Sequence, residues 1–168
     1  MRAGRLYKHE EARNAGELVM LDTRAELDAF VSTHPCIFLS HQWLGGAASG
    51  PDPSNEHFPV MVRAILAVIA RCGLDASKVH VWIDYSCVPQ CSAELTRLSI
   101  RSLALYAASC AYFVSVAPPA VHHDTGAALD AATYRRRGWC RLECFARMVG
   151  GGLQGMYLWE APEPAPAR

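Results

Sequence analysis

Apolar positions along the chain cluster into short continuous runs and longer helically spaced segments, and the two kinds alternate. Thr23 followed by Glu26 forms a capping-box signature, and Leu27, Phe30 and Val31 continue at helical spacing. This predicts a short helix over about 23–33, ending before His34-Pro35 because a residue preceding proline avoids helical geometry. Cys36-Ile-Phe-Leu-Ser40 is short and apolar, the pattern of a buried strand. A polar loop rich in Gly, Pro, Ser and Asn runs from His41 to about Glu56. Pro59 to Cys72 is nearly all apolar, too long for an ordinary strand, and reads as a well-buried helix stopped by Gly73.

Lys78-Val-His-Val-Trp-Ile-Asp84 predicts a second strand and Ala111-Tyr-Phe-Val-Ser-Val116 a third. Between them Ser92 can cap one helix running to about Ser109. After Pro118-Pro119 comes a loop of about 15 residues, containing His122, His123, Asp124 and the basic run Arg135-Arg136-Arg137. From Gly138 to Val149 the apolar residues 142, 145, 146 and 149 share one helix face. Three glycines, 150–152, end that segment, and Met156-Tyr-Leu-Trp159 predicts a last strand. Residues 1–21 read as a loosely attached arm, 22–160 as one domain, and the Pro/Ala-rich residues 161–168 as a disordered tail.

Alternation of strand and helix implies right-handed crossovers and a parallel α/β sheet of four to five strands with helices on both faces. Ligands of such sheets bind at the carboxyl ends of the strands. Here those ends are the loops after Ser40, Asp84 and Val116, where the polar and unusual residues concentrate.

Composition fits this picture. A chain of 168 residues with 51% apolar side chains supplies one core, and 16 basic against 16 acidic residues give no net charge. Nothing in that balance favours nucleic acid or an anionic membrane as partner. No apolar run approaches the roughly 20 residues that span a bilayer. The charged N-terminus lacks the apolar core of a signal peptide, so a soluble, cytoplasmic protein is the expectation. Seven cysteines, most within apolar segments, fit reduced thiols better than a secreted disulfide scaffold.

Three segments together resemble the TIR family. Ile37-Phe-Leu-Ser-His-Gln-Trp43 resembles its opening strand and loop, and Val81-Trp-Ile-Asp84 its second strand. Tyr134 to Trp139-Cys140-Arg-Leu-Glu143 is similar to its Tyr…Trp-Cys-x-x-Glu. Trp82-Ile-Asp-Tyr-Ser-Cys-Val-Pro-Gln90 also resembles the signature of fungal heterokaryon-incompatibility (HET) domains, which are regarded as TIR-like. The resemblance spans roughly residues 36–158 and implies a three-layer, flavodoxin-like or TIR-like sheet. Arg137-Gly138 stands where the family often has a serine, and Pro89 where the HET signature usually has asparagine.

The resemblance further implies cleavage of the nicotinamide–ribose bond of NAD, as substrate rather than cofactor, in an immune or cell-death type of signalling, with Glu143 as the required residue. A carboxylate suits that chemistry because the ribose passes through an oxocarbenium-like state. Nicotinamide departs as a neutral group, so no strong general acid is needed. Ser40, His41, Gln42, Trp43, Asp84, Arg136, Arg137 and Trp139 are the expected substrate-binding residues, with Trp43 stacking on a ring and the arginines pairing with a pyrophosphate. Two rivals remain: a non-catalytic module that self-associates or recruits other TIR-like domains, and a nucleoside deoxyribosyltransferase-like enzyme using the same glutamate.

Plainer readings stand beside these. Glu143 lies four residues before Arg147, the spacing of a surface ion pair. Trp82 and Trp139 suit packing, and Asp84 suits a turn. Cys87/Cys91 and Cys140/Cys144, with His122 and His123, make zinc conceivable, but neither pair has the spacing of common structural sites, and no metal is expected.

Overall fold

The computed structural model describes residues 4–160; the tail expected at 161–168 lies outside the described residues. In chain order the elements begin with α1 (His9–Asn14), α2 (Arg24–Thr33), β1 (Cys36–His41) and α3 (His57–Cys72). A single 3-10 turn, Ala76–Lys78, leads into β2 (His80–Ile83), α4 (Asp84–Cys87), α5 (Ala93–Arg101) and α6 (Leu103–Ser109). Then follow β3 (Tyr112–Val116), the two-residue strands β4 (Ala120–Val121) and β5 (Ala128–Leu129), α7 (Ala131–Arg136), α8 (Gly138–Gly151) and β6 (Met156–Trp159).

The main sheet has the order β2-β1-β3-β6, and every pairing in it is parallel. β1 is buried along its whole length, which is why its sequence is a continuous apolar run rather than an alternating one. Ile37, Leu39, Ile83, Val114 and Val116 face α3, which covers one side with Val60, Met61, Ala64, Ile65 and Val68. Phe38 and Phe113 face the other way, against Leu103 and Ala107 of α6. Phe38 also stacks between its cross-strand neighbours, 4.4 Å from the Trp82 ring and 5.2 Å from Phe113. The result is a three-layer α/β fold, with α3 on one face and α6 and α8 on the other.

Two pieces differ from the sequence expectation. The helix expected over 92–109 is broken at Ser102, whose N–H is shared between the Leu98 and Ser99 carbonyls. The break lets α6 bury Leu103 and Ala107 while α5 buries nothing and stays at the rim. The segment after Pro119 is not a plain loop but holds the β4–β5 hairpin and α7. Asp130 and Thr133 fix the start of α7 by a capping box. Elements of two and six residues are too short to print a period on the sequence.

The N-terminal segment is not loose over Leu6–Asn14. Leu6, His9 and Ala12 are buried, and the Ser86 hydroxyl donates to the Tyr7 carbonyl. Glu10 receives the backbone N–H groups of Gln90 and Cys91 at 2.7 and 2.8 Å. Those donors, which favour the anion, outweigh the burial that opposes it and lower the Glu10 carboxyl from 4.5 to about 2. A depressed folded-state value contributes stability above the ordinary carboxylate range, lost as pH falls from there toward about 2. Hydrogen exchange of residues 6–14 should therefore quicken across that acid window, and Glu10→Gln should bring the same quickening to neutral pH.

No helix among the described residues is long and apolar enough to cross a membrane.

Candidate functional site

In the order β2-β1-β3-β6 the chain leaves β1 toward one edge and β3 toward the other, and ligand crevices of such sheets lie outside the carboxyl ends of the strands. The candidate site lies there. A cleft of about 350 Å³ is lined by His41 and Trp43 from the end of β1, Asp84 from the end of β2, and Thr96 and Ile100 of α5. Arg137, Trp139, Cys140 and Glu143 close it from the head of α8. Its size is at the low end of small-molecule sites.

Glu143 is 7% exposed. The Ser40 hydroxyl at the end of β1 donates a short hydrogen bond to its Oε2. Burial raises the Glu143 carboxyl from 4.5 to about 7, against the pull of the Ser40 hydrogen bond; the Asp84 charge adds to the rise, and His41 opposes it. Half ionised near neutrality, it is poised for acid–base or electrostatic work. Glu143 forms no ion pair with Arg147. Arg147 is itself buried and its guanidinium donates to the carbonyls of Ala111 and Gln154 at 3.0 and 2.7 Å, where β3 and β6 begin. The surface ion pair expected from spacing is therefore replaced by two separate buried anchors at opposite ends of one helix.

Asp84 accepts from three groups at once. Trp43 donates its indole N–H at 2.7 Å, His41 Nε2 lies at 3.1 Å, and the Tyr85 N–H at 2.6 Å. Burial resists ionisation, but the His41 charge and these hydrogen bonds win and lower the Asp84 carboxyl. Burial likewise disfavours the His41 imidazolium, and the Asp84 carboxylate overrides it and raises the histidine. Beneath His41 the buried His57 ring is depressed to about 4 by burial and by the His41 charge, so it is neutral at physiological pH. The turn role read for Asp84 is real, and the same carboxylate also fixes Trp43 and His41 at the cleft wall.

Of the expected site residues, the fold brings Glu143, His41, Trp43, Asp84, Arg137 and Trp139 to one cleft, with Ser40 directly behind Glu143. Two are elsewhere. Gln42 is fully buried and structural: its amide donates to the Asp130 carbonyl at 3.2 Å and accepts from the Thr133 hydroxyl at 3.1 Å. It lies just beyond β1, and its amide is taken up at the start of α7 rather than lining the cleft. Arg136 is exposed on the last turn of α7 and does not line the cleft; one residue of backbone separates it from Arg137, which does. Tyr134, Ser115 and Cys140 are the neighbours that sequence reasoning left out of the site. A signal for Ser115 existed, since it interrupts an otherwise apolar buried strand just as Ser40 does.

All seven cysteines are free thiols. Among the described residues no group of three or more His, Cys, Asp or Glu side chains is placed to hold a metal ion. A larger cavity, about 400 Å³, lies between the N-terminal segment, α2 and the β2 edge. Its wall is mostly aliphatic and aromatic, whereas His41, Asp84, Arg137 and Glu143 converge on the smaller cleft.

The α8 face is the principal surprise. Its buried stripe is Cys140, Glu143 and Arg147, while Leu142, Phe145 and Val149 face solvent at 40%, 63% and 71% exposure. Near its C-terminal end α8 lies so close to α6 that a Cβ on Gly150 would come within 2.5 Å of the Ala108 Cβ.

Set against known proteins, the chain matches no family model, no curated protein and no solved structure.

Proposed function

We propose that the protein cleaves the bond between nicotinamide and ribose in NAD, with Glu143 as the catalytic carboxylate. The observation that carries this reading is a buried carboxylate, ionising near neutrality, in a cleft it shares with Asp84, two indoles and one arginine. Cleavage breaks the C1′–N bond, and its electron pair neutralises the pyridinium nitrogen. The positive charge left on the ribose is what an adjacent carboxylate stabilises. A water that captures the ribose loses one proton, which the carboxylate or solvent accepts. Trp43, held by Asp84, and Trp139, 57% exposed at the rim, are flat surfaces for the nicotinamide and a base. Arg137 faces the cleft as a partner for phosphate oxygens. The test is nicotinamide release from NAD by purified wild type beside Glu143→Gln. Silence of the wild type at a concentration that permits assembly sinks the reading.

A second reading has its own observation. Leu142, Phe145, Met148 and Val149 make an apolar stripe along α8 that continues to Leu153, larger than isolated exposed residues require. This favours self-association as a signalling module. On that reading sedimentation should show wild type associating as concentration rises, and Phe145→Asp with Val149→Asp should remain monomeric. A wild type that stays monomeric throughout removes this alternative.

A further inference from the structure

Ser40 and Ser115 occupy paired register positions on β1 and β3, so both hydroxyls leave the sheet on the same side. Tyr134 of α7 reaches down between them, 2% exposed, with its phenol oxygen 2.7 Å from Ser40 Oγ and 2.9 Å from Ser115 Oγ. Each hydroxyl has one proton. Ser40 gives its proton to Glu143. While Glu143 is ionised, the single phenol proton must therefore go to Ser40, and the 2.9 Å contact with Ser115 is made by the serine donating to the phenol oxygen. The chain has one direction, from Ser115 through Tyr134 and Ser40 to the Glu143 carboxylate.

We propose that Tyr134, backed by Ser115, is a positioning residue that locks the Ser40 hydroxyl as a donor to Glu143 and so fixes the carboxylate's orientation in the cleft. This rests on the assignment of Glu143 as the catalytic group. Without the phenol, Ser40 has a free choice of rotamer and acceptor. With it, Oε2 of Glu143 is committed to Ser40, leaving the other oxygen for the ribose. Hydrogen bonds that end on a charge are about twice as strong as neutral ones, and a chain of them is reinforced inside a protein.

Several other groups face the same carboxyl. His41 and Asp84 approach from the ends of β1 and β2, Arg137 from the head of α8, and the Cys140 thiol from the next turn, its own titration pushed up to about 12 by burial. Cys144 adds a thiol 3.5 Å from the Tyr134 oxygen. None of these donates to Ser40, so the phenol's contribution is separable from theirs. Burial and the Cys144 thiol hold the phenol far above its ordinary value, and it remains a proton donor throughout the working range.

The experiment compares wild type, Tyr134→Phe, Ser40→Ala and the double variant. Two readings are taken: the pH profile of NAD cleavage, and direct titration of the Glu143 carboxyl by isotope-edited infrared spectroscopy without substrate. Tyr134→Phe keeps the ring and its packing. It should lower kcat at neutral pH by about tenfold and leave KM within about twofold of wild type. Both the acid limb of the profile and the carboxyl titration should move upward by about one pH unit. Ser40→Ala should do the same, and adding Tyr134→Phe to it should change nothing further. Ser115→Ala, which leaves Tyr134 in place, should give a smaller shift in the same direction and serves if the phenylalanine variant does not fold.

A Glu143 titration that ignores Tyr134→Phe overturns the inference, even if wild type cleaves NAD as proposed. A titration that moves while no variant, nor wild type, releases nicotinamide upholds the positioning role and rejects the reaction assigned to the site.

Discussion

Glu143→Gln is expected to reduce nicotinamide release by at least about a hundred- to a thousandfold, the range seen when one preorganised electrostatic group is removed from a reacting centre. The amide keeps the shape and still accepts the Ser40 hydrogen bond, but carries no charge for the ribose to meet. The same substitution has an opposite expected effect on stability. Burial raises the folded-state carboxyl to about 7 from an ordinary 4.5. Between those values the unfolded chain ionises while the folded one stays protonated, so stability falls as pH rises through that interval. The loss is on the order of 3 kcal/mol and is complete above about pH 7. Glutamine never ionises, so Glu143→Gln should melt at least as high as wild type at pH 8 and show little difference at pH 4. For wild type, activity should rise through about pH 7 as the carboxylate forms. Calorimetry at the two pH values, with cleavage rates on the same samples, checks both halves. An inactive variant that is also less stable at pH 8 would mean that Glu143 is a structural acceptor rather than a strained functional group.

That conflict between stability and charge explains how the site was legible in the sequence. The buried strands announce themselves as apolar runs, and the right-handed crossover rule then places the ends of β1 and β2 beside each other. His41, Trp43 and Asp84 follow at once because they sit where each run stops. Ser40 and Ser115 are polar residues within apolar strands, and their partners come from α7 and α8, some 20 to 100 residues away. No local pattern supplies that pairing. Gln42 is the instructive case: it lies between two cleft residues in sequence, but its amide is taken up by Asp130 and Thr133 at the start of α7, some 90 residues away, and no local pattern announces that pairing.

Helix periodicity misleads for α8. The 142/145/149 spacing marks an apolar face, yet the helix buries Cys140, Glu143 and Arg147 instead. Apolar area usually decides which face turns inward. Here the decision goes to a carboxylate with a serine donor at one end and a guanidinium bonded to two carbonyls at the other. A chain that leaves several large apolar side chains in water to seat two charged ones has a use for one or both sets. The cleft and the stripe are the corresponding candidates.

The lower anchor gives the largest expected effect on folding. Gly155 turns the chain from α8 into β6 with φ +77°, a conformation L side chains rarely adopt. A Cβ there would also lie 2.6 Å from the Ala111 carbonyl oxygen, which is backbone and cannot swing aside. That carbonyl is the one Arg147 binds. Gly155→Val therefore combines left-handed strain with a steric clash and displaces a buried guanidinium from its acceptor. The sum is about 3–5 kcal/mol, or a fall of roughly 10 °C or more in Tm for a domain of this size. The loss should be greatest where β6 pairs with β3, since Gly155 also accepts the Phe113 N–H at 2.8 Å. Hydrogen exchange should quicken first at Phe113 and along Met156–Trp159. Gly73, left-handed at φ +62°, ψ +35° with nothing within 4 Å of a built Cβ, is the control. Gly73→Ala carries strain without the clash and should cost only about 1–2 kcal/mol. Equal losses at the two positions would show that backbone conformation alone, and not the Ala111–Arg147 contact, makes glycine necessary at this turn.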